Sequence, residues 1–133
     1  MITRKVMIVE DDPLLSIVEE KLVTKLGYEV VGTASSGEEA LCVFTDFNPS
    51  ILLMDIQLSG DLDGIETVRR LRSDHAADIP VIFLSGDDSP MVLNQAKDIE
   101  YIDFLLKPVT KSELSNSLTK AENKINSESQ YAA

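Results

Sequence analysis

A single cysteine, Cys42, leaves the chain no internal disulfide to form, which fits a reducing, cytoplasmic setting. Tryptophan is absent, so indole quenching cannot report on a bound ligand. No apolar run approaches the roughly 18 residues that a membrane-spanning helix requires. The start, Met1-Ile2-Thr3-Arg4-Lys5, is basic, but a strand pattern follows it in place of the apolar stretch and cleavage site of a signal peptide. Basic charge is scarce. Lys and Arg number 12 against 23 Asp and Glu, for a net charge of −11. That argues against the basic surface on which non-specific nucleic-acid binding or attraction to an anionic membrane depends. Internal repeats and low-complexity segments are also missing.

What is present is an ordinary globular balance, 44% apolar and 26% charged over 133 residues, enough for one domain with a full core. The most informative stretch is Ile51-Leu52-Leu53-Met54-Asp55-Ile56. A run this short and apolar reads as a strand buried on both faces of a parallel sheet. It delivers Asp55 to the carboxyl edge of that sheet, where ligands bind in open α/β folds.

The remaining chain alternates strand and helix. Lys5 to Val9 is a strand that runs into Glu10-Asp11-Asp12, and Asp12-Pro13 reads as the N-cap and first position of a helix. That helix carries Leu15, Val18, Leu22 and Leu26 as its apolar stripe and closes at Gly27. Val30-Val31 mark a second strand. Ser36 to Glu39 is a capping box, Ala40, Phe44 and Phe47 follow as a stripe, and Asn48-Pro49 is a stop. Cys42 lies near that stripe and reads as packing. After the central strand, Asp63 caps a third helix with Ile65, Val68 and Leu71. Val81 to Leu84 is the fourth strand, and Ser89-Pro90 opens a helix with a thin stripe of Val92, Ala96 and Ile99. Ile102 to Leu106 is the fifth strand. A capping box from Thr110 to Glu113 starts a last helix carrying Leu114, Leu118, Ala121 and Ile125. These spacings predict one α/β domain over residues 1–125, with 126–133 as a polar, frayed tail. Strict βα alternation implies a doubly wound parallel sheet, and with five strands the flavodoxin-like (βα)5 order 2-1-3-4-5.

In that order the carboxyl ends of the first, third, fourth and fifth strands are neighbours. They bring together Glu10, Asp11, Asp12, Asp55, Ser85, Gly86, Asp87 and Lys107. Carboxylates about 4 Å apart at an effective dielectric near 20 repel by roughly 4 kcal/mol per pair. A hard divalent cation, Mg²⁺ above all, relieves that repulsion through carboxylate, phosphate and water oxygens. Lys107 adds a point charge, and Ser85 a hydroxyl donor. The arrangement invites attack by the Asp55 carboxylate on phosphorus, with Mg²⁺ and Lys107 neutralising the phosphoryl oxygens.

Taken together, Glu10-Asp11-Asp12-Pro13 after an apolar strand, Met54-Asp55-Ile56, Asp63-Gly64-Ile65-Glu66, Ser85-Gly86 and Phe104-Leu105-Leu106-Lys107-Pro108 resemble the receiver domain of two-component response regulators, from about Lys5 to Lys124. The resemblance implies that Asp55 is the phosphoacceptor. It implies that Asp11 and Asp12 hold Mg²⁺, Asp12 as the direct ligand, with the backbone carbonyl of Gln57 as a third. Ser85 takes the switch-hydroxyl position, where Thr is more usual, and Phe104 the aromatic switch position, where Tyr is common. Lys107 becomes the phosphate-pairing lysine, and the bond before Pro108 is expected to be cis. The implied partners are a sensor histidine kinase or a histidine phosphotransfer protein, and an output domain or protein. A homodimer through the face of the fourth helix, fifth strand and fifth helix is a further expectation. The sequence departs from the family in a proline-free, longer loop from Ile56 to Leu62, and in Glu100-Tyr101 before the last strand. No output segment is recognised after the fifth helix, which suits either a single-domain regulator or a piece of a longer protein.

Three other readings compete. A pseudo-receiver would signal by unmodified protein contacts. A phosphohydrolase of the haloacid dehalogenase kind would need an acid two residues after the nucleophile, where Gln57 stands. A flavodoxin-like cofactor binder would need a phosphate loop rich in Ser, Thr and Gly, where Glu10-Asp11-Asp12-Pro13 would repel phosphate. The expected behaviour is a phosphoacceptor that catalyses only its own modification.

Overall fold

The computed structural model describes residues 4–75 and 78–132. In chain order its elements are β1 (Lys5–Val9), α1 (Pro13–Lys25), β2 (Glu29–Ala34), α2 (Gly37–Phe47), β3 (Ile51–Asp55), α3 (Gly64–Asp74), β4 (Val81–Ser85), α4 (Pro90–Gln95), β5 (Asp103–Leu106) and α5 (Lys111–Ala132). The five strands form one parallel sheet in the order β2-β1-β3-β4-β5, the flavodoxin-like arrangement expected from strict alternation.

Side chains of the three inner strands alternate between two cores. Met7, Val9, Leu52, Met54, Val81 and Phe83 meet α2, α3 and α4, while Val6, Ile8, Ile51, Leu53, Ile82 and Leu84 meet α1 and α5. All twelve are essentially removed from solvent, and each such side chain contributes about 1.5–3 kcal/mol of transfer free energy. This two-sided burial explains why the strands read as unbroken apolar runs.

The predicted caps at Ser36, Asp63 and Thr110 form. Glu39 N–H donates to Ser36 Oγ at 3.1 Å, Glu66 N–H to Asp63 Oδ1 at 2.8 Å, and Glu113 N–H to Thr110 Oγ1 at 3.1 Å. Each satisfies an orphan donor of a first helical turn.

Several expectations need correcting. The last helix does not end near Ile125 but runs to Ala132, because nothing after Asn126 is Gly or Pro, and Arg4 bonds the Asn126 side chain. The fourth helix is only six residues long, with its Val92 buried and its Met91 exposed. Ser89 makes no side-chain cap; its N–H donates instead to Asp87 Oδ1 at 2.8 Å. Cys42 is exposed, not packed. On α1 the buried stripe includes Glu19 and Val23, whereas Val18 is 51% exposed.

Gly64 positions the carboxyl edge. Its N–H donates to Ile56 O at 2.9 Å, and a Cβ there would lie 2.1 Å from the Asp55 carbonyl oxygen. Gly→Ala inside a helix ordinarily stabilises by up to about 1 kcal/mol. Gly64→Ala is expected to do the reverse, by about 1–3 kcal/mol through overpacking, read as a lower denaturation midpoint. An unchanged or raised midpoint would show that α3 is free to back away from β3.

Candidate functional site: an acidic pocket at the carboxyl edge of the sheet

Asp55 ends the central strand and is fully buried. Glu10, one residue past β1, is 2% exposed. It continues the alternation of Val6 and Ile8 and so turns inward. Lys107, just past β5, reaches between them. Its Nζ lies 3.0 Å from Asp55 Oδ2 and 3.2 Å from Glu10 Oε1. The Lys107-Pro108 peptide is cis. Asp11 completes the pocket, since Glu10, Asp11 and Asp55 each bring a carboxylate oxygen within 4.8 Å of the others.

The ammonium is the counter-charge that Asp55 has among the described residues, and neither Asp55 oxygen receives a well-directed hydrogen bond. Burial pushes the Asp55 carboxyl up to about 7, and Glu10 adds to the rise while Lys107 opposes it. Burial alone would lower the Lys107 ammonium, but Asp55 and Glu10 outweigh it and hold the pKa above its ordinary value. For Asp11 burial works upward, yet bonds from Ser59 bring the carboxyl below its usual range. Ser59 donates to Asp11 Oδ2 from both its N–H, at 3.2 Å, and its hydroxyl, at 3.1 Å.

A fourth acid backs the pocket. Glu19 on α1 is 3% exposed and faces Glu10. Burial first, then Glu10, pushes it up to about 9, so this carboxyl is neutral at pH 7. Its Oε1 has no partner.

The structure places Asp12 outside this cluster. That residue is exposed, and its Oδ1 accepts from Leu14 N–H at 2.9 Å and Leu15 N–H at 3.3 Å as the N-cap of α1. Pro13 at the first helical position fixes it there, so Asp12 is directed at helix donors, and Glu10 stands in the cluster in its place.

Ser85 ends β4 fully buried. Its Oγ lies 2.7 Å from Asp87 O and 2.9 Å from Gln57 Oε1, and accepts from Asp87 N–H at 3.0 Å. Gln57 Oε1 also accepts from Gly86 N–H at 3.0 Å. Phe104, opposite Phe83 on β5, is half-buried against the α2–α4 core, edge-on to Tyr101 at 6.4 Å. Thus the pocket unites Glu10, Asp11, Asp55 and Lys107 of the expected set, with Glu19 and Ser59 added to it. The period-two continuation of β1 marks Glu10, and the i,i+4 spacing to Val23 marks Glu19. Nothing in the sequence marks Ser59.

A family model described as response regulator receiver domain matches residues 6–119. The chain is 37% identical over 118 residues to the positive alginate biosynthesis regulatory protein of Pseudomonas aeruginosa, covering 87% of this chain and 46% of that one. It is 30% identical over 118 residues to the chemotaxis protein CheY of Thermotoga maritima, covering 88% of this chain and 96% of that protein. The crystal structure of the signal receiver domain of a modulated diguanylate cyclase from Desulfovibrio desulfuricans superposes with a TM-score of 0.86 at 35% identity, over 96% of this chain and 99% of that one. The chain therefore belongs to the response regulator receiver domain family, a family of signalling domains. It spans about half the length of several curated relatives, 51% of one and 46% of another. Among the described residues no helix is long and apolar enough to cross a membrane.

Two outcomes follow from this geometry. Asp12→Ala should lower stability by about 1 kcal/mol, the loss of an N-cap, while leaving Mg²⁺ affinity by calorimetric titration near that of the wild type. A large loss of affinity would return Asp12 to the ligand set. The second concerns pH without metal. Asp55 and Glu19 hold protons more tightly folded than unfolded, so the stability they contribute is full below their unfolded values near 4 and is lost as pH rises through about 7 and about 9. Asp55→Asn should flatten the fall in melting temperature between about pH 5 and pH 8. An identical slope in the variant would contradict the raised Asp55 value.

Proposed function

We propose that this chain is a phosphoacceptor switch in which Asp55 takes a phosphoryl group from a phosphohistidine of a sensor kinase or phosphotransfer protein. The observation that carries this reading is a buried carboxylate at the end of the central strand, with oxygens short of hydrogen bonds and one lysine as counter-charge. An Asp55 oxygen attacks phosphorus, the O–P bond forms, and the P–N bond breaks with its electron pair leaving on the imidazole nitrogen.

The donor set fits a hard divalent cation. Glu10, Asp11 and Asp55 supply carboxylate oxygens at mutual ligand distance, and the Asp55 oxygens lack the hydrogen bonds that a satisfied structural acid has. Asp11 and Asp55 would hold Mg²⁺ together with the Gln57 backbone carbonyl, and Glu10 would back them. When bound, Mg²⁺ neutralises charge that develops on the phosphoryl oxygens. Lys107 stays within reach of Asp55 and pairs with the new phosphoryl group. Ser85 donates its hydroxyl proton to a phosphoryl oxygen, which draws the β4–α4 loop inward. Phe104 is the aromatic side chain on β5 that follows. Gln57 has no acidic proton to give a leaving alkoxide, which favours a single-turnover acceptor over a phosphatase. The output is a partner domain or protein engaged at the face of α4, β5 and α5, where Met91 and Leu106 are exposed; a second copy of this chain is one such partner.

Intact mass after incubation with a small acyl phosphate tests this reading. One phosphoryl group should add to the wild type with Mg²⁺, and none to Asp55→Asn or to metal-free protein. Stoichiometric addition to Asp55→Asn would sink the assignment, and binding of neither phosphoryl nor beryllium fluoride would turn the reading to a pseudo-receiver.

A further inference from the structure

Gln57 is exposed, yet its side-chain carbonyl oxygen accepts from the Gly86 N–H at 3.0 Å and lies 2.9 Å from the Ser85 hydroxyl, whose one proton it shares with Asp87 O at 2.7 Å. Ser85 is the hydroxyl assigned above to the phosphoryl group, and Gly86 N–H is the next donor on the same loop. We propose that the Gln57 amide oxygen is a built-in placeholder for a phosphoryl oxygen, holding these two donors in the unmodified protein and giving them up on modification. The inference rests on the receiver reading of the site.

Exchange of one acceptor for the other is physically easy. A neutral amide oxygen is a weaker acceptor than an anionic phosphoryl oxygen, whose charge-assisted bonds are roughly twice as strong. Once displaced, the exposed Gln57 amide is solvated at little loss. The Ser85 proton has a second acceptor, Asp87 O at 2.7 Å, so its hydroxyl stays satisfied in either arrangement. Gly86 N–H has no such alternative among the described bonds and passes from Gln57 to the phosphoryl oxygen or to water. The loop itself is anchored independently of Gln57. Asp87 N–H donates to Ser85 Oγ at 3.0 Å, Ser89 N–H to Asp87 Oδ1 at 2.8 Å, and Lys107 N–H to Ser85 O at 2.7 Å. Removing the placeholder therefore frees the donors without dismantling the loop. Gln57 then acts as a positioning residue that sets how strongly a phosphoryl group must bind before the loop commits to it.

Gln57→Met keeps length and loses the acceptor, Gln57→Ala removes the side chain, and both retain the backbone carbonyl. Hydrogen exchange of the Gly86 amide in metal-free, unmodified protein is the first readout. It should quicken about tenfold in both variants, the loss of one hydrogen bond. The same exchange rate in wild type and variants would overturn the inference, whatever the fate of the receiver reading. The second readout is the affinity for beryllium fluoride with Mg²⁺, which should tighten about tenfold in both variants once the competing acceptor is gone. Equal or weaker binding would show that Gln57 assists the phosphoryl group and would overturn the placeholder role. Failure of the wild type itself to bind beryllium fluoride would instead remove the receiver reading, a distinguishable result.

Discussion

The pocket turns on one pairing, the ammonium of Lys107 set between two buried carboxylates, Asp55 and Glu10. One positive charge does not neutralise two negative ones, and Asp11 brings a third. The mismatch is tolerable because Asp55 ends a strand buried on both faces, where the surrounding core supplies the stabilisation that the charged edge lacks. Asp55 responds by binding its proton more tightly, and Glu19 does so more strongly still. A site with excess negative charge and unsatisfied oxygens is prepared for a cation, and after that for an incoming phosphoryl group. The same reasoning explains why burial here is not a simple gain, since breaking one member of such a set leaves the others uncompensated.

Around this centre, two loops are held by short polar contacts. The β3–α3 loop is tied at Ser59 to Asp11 and at Leu62 N–H to Glu38 Oε1 at 3.0 Å, and it passes Gly60 at φ +99° with Glu38 beside it. The β4–α4 loop is tied through Ser85, Gln57 and Asp87. Gln57 lies two residues past Asp55, so the loop that leaves β3 reaches across to the Ser85 hydroxyl. Beyond that hydroxyl, Phe83, Tyr101 and Phe104 form an aromatic row, with centroids 5.6 and 6.4 Å apart, leading from β4 toward the α4–β5 side. Tyr101, which marks a departure from the family pattern, is the middle of that row.

Much of this was legible from residue order. Strands buried on both faces write themselves as apolar runs, so β1, β3 and β4 and the order of the sheet could be read directly. Asp55 and Lys107 were found because a charge that directly follows an apolar strand has one place to go. Asp11 and Asp12 are consecutive acids that take different positions, one in the pocket and one on the helix cap. Pro13 was the deciding signal, since it makes the preceding residue a cap, and strand alternation then turns Glu10 inward. Val18 and Glu19 were exchanged for a related reason. Apolar character suggested Val18 for the buried stripe, but the helix faces a polar pocket at that level and buries the acid. The reach of α5 to Ala132 was missed because polarity was taken for an end, whereas a helix needs a breaker or a cap to stop. Contacts such as Ser59 with Asp11, or Gln57 with Gly86, join residues brought together only by loop geometry and carry no sequence period.

The measurement that bears most directly on this account is the location of the acquired phosphoryl group. Protein treated with an acyl phosphate and Mg²⁺ can be reduced with borohydride, which converts an aspartyl phosphate to homoserine, and then mapped by peptide mass spectrometry. The account requires the reduced residue to be Asp55, with Glu10, Asp11 and Glu19 unaltered. Reduction at any of those acids with Asp55 intact would contradict it.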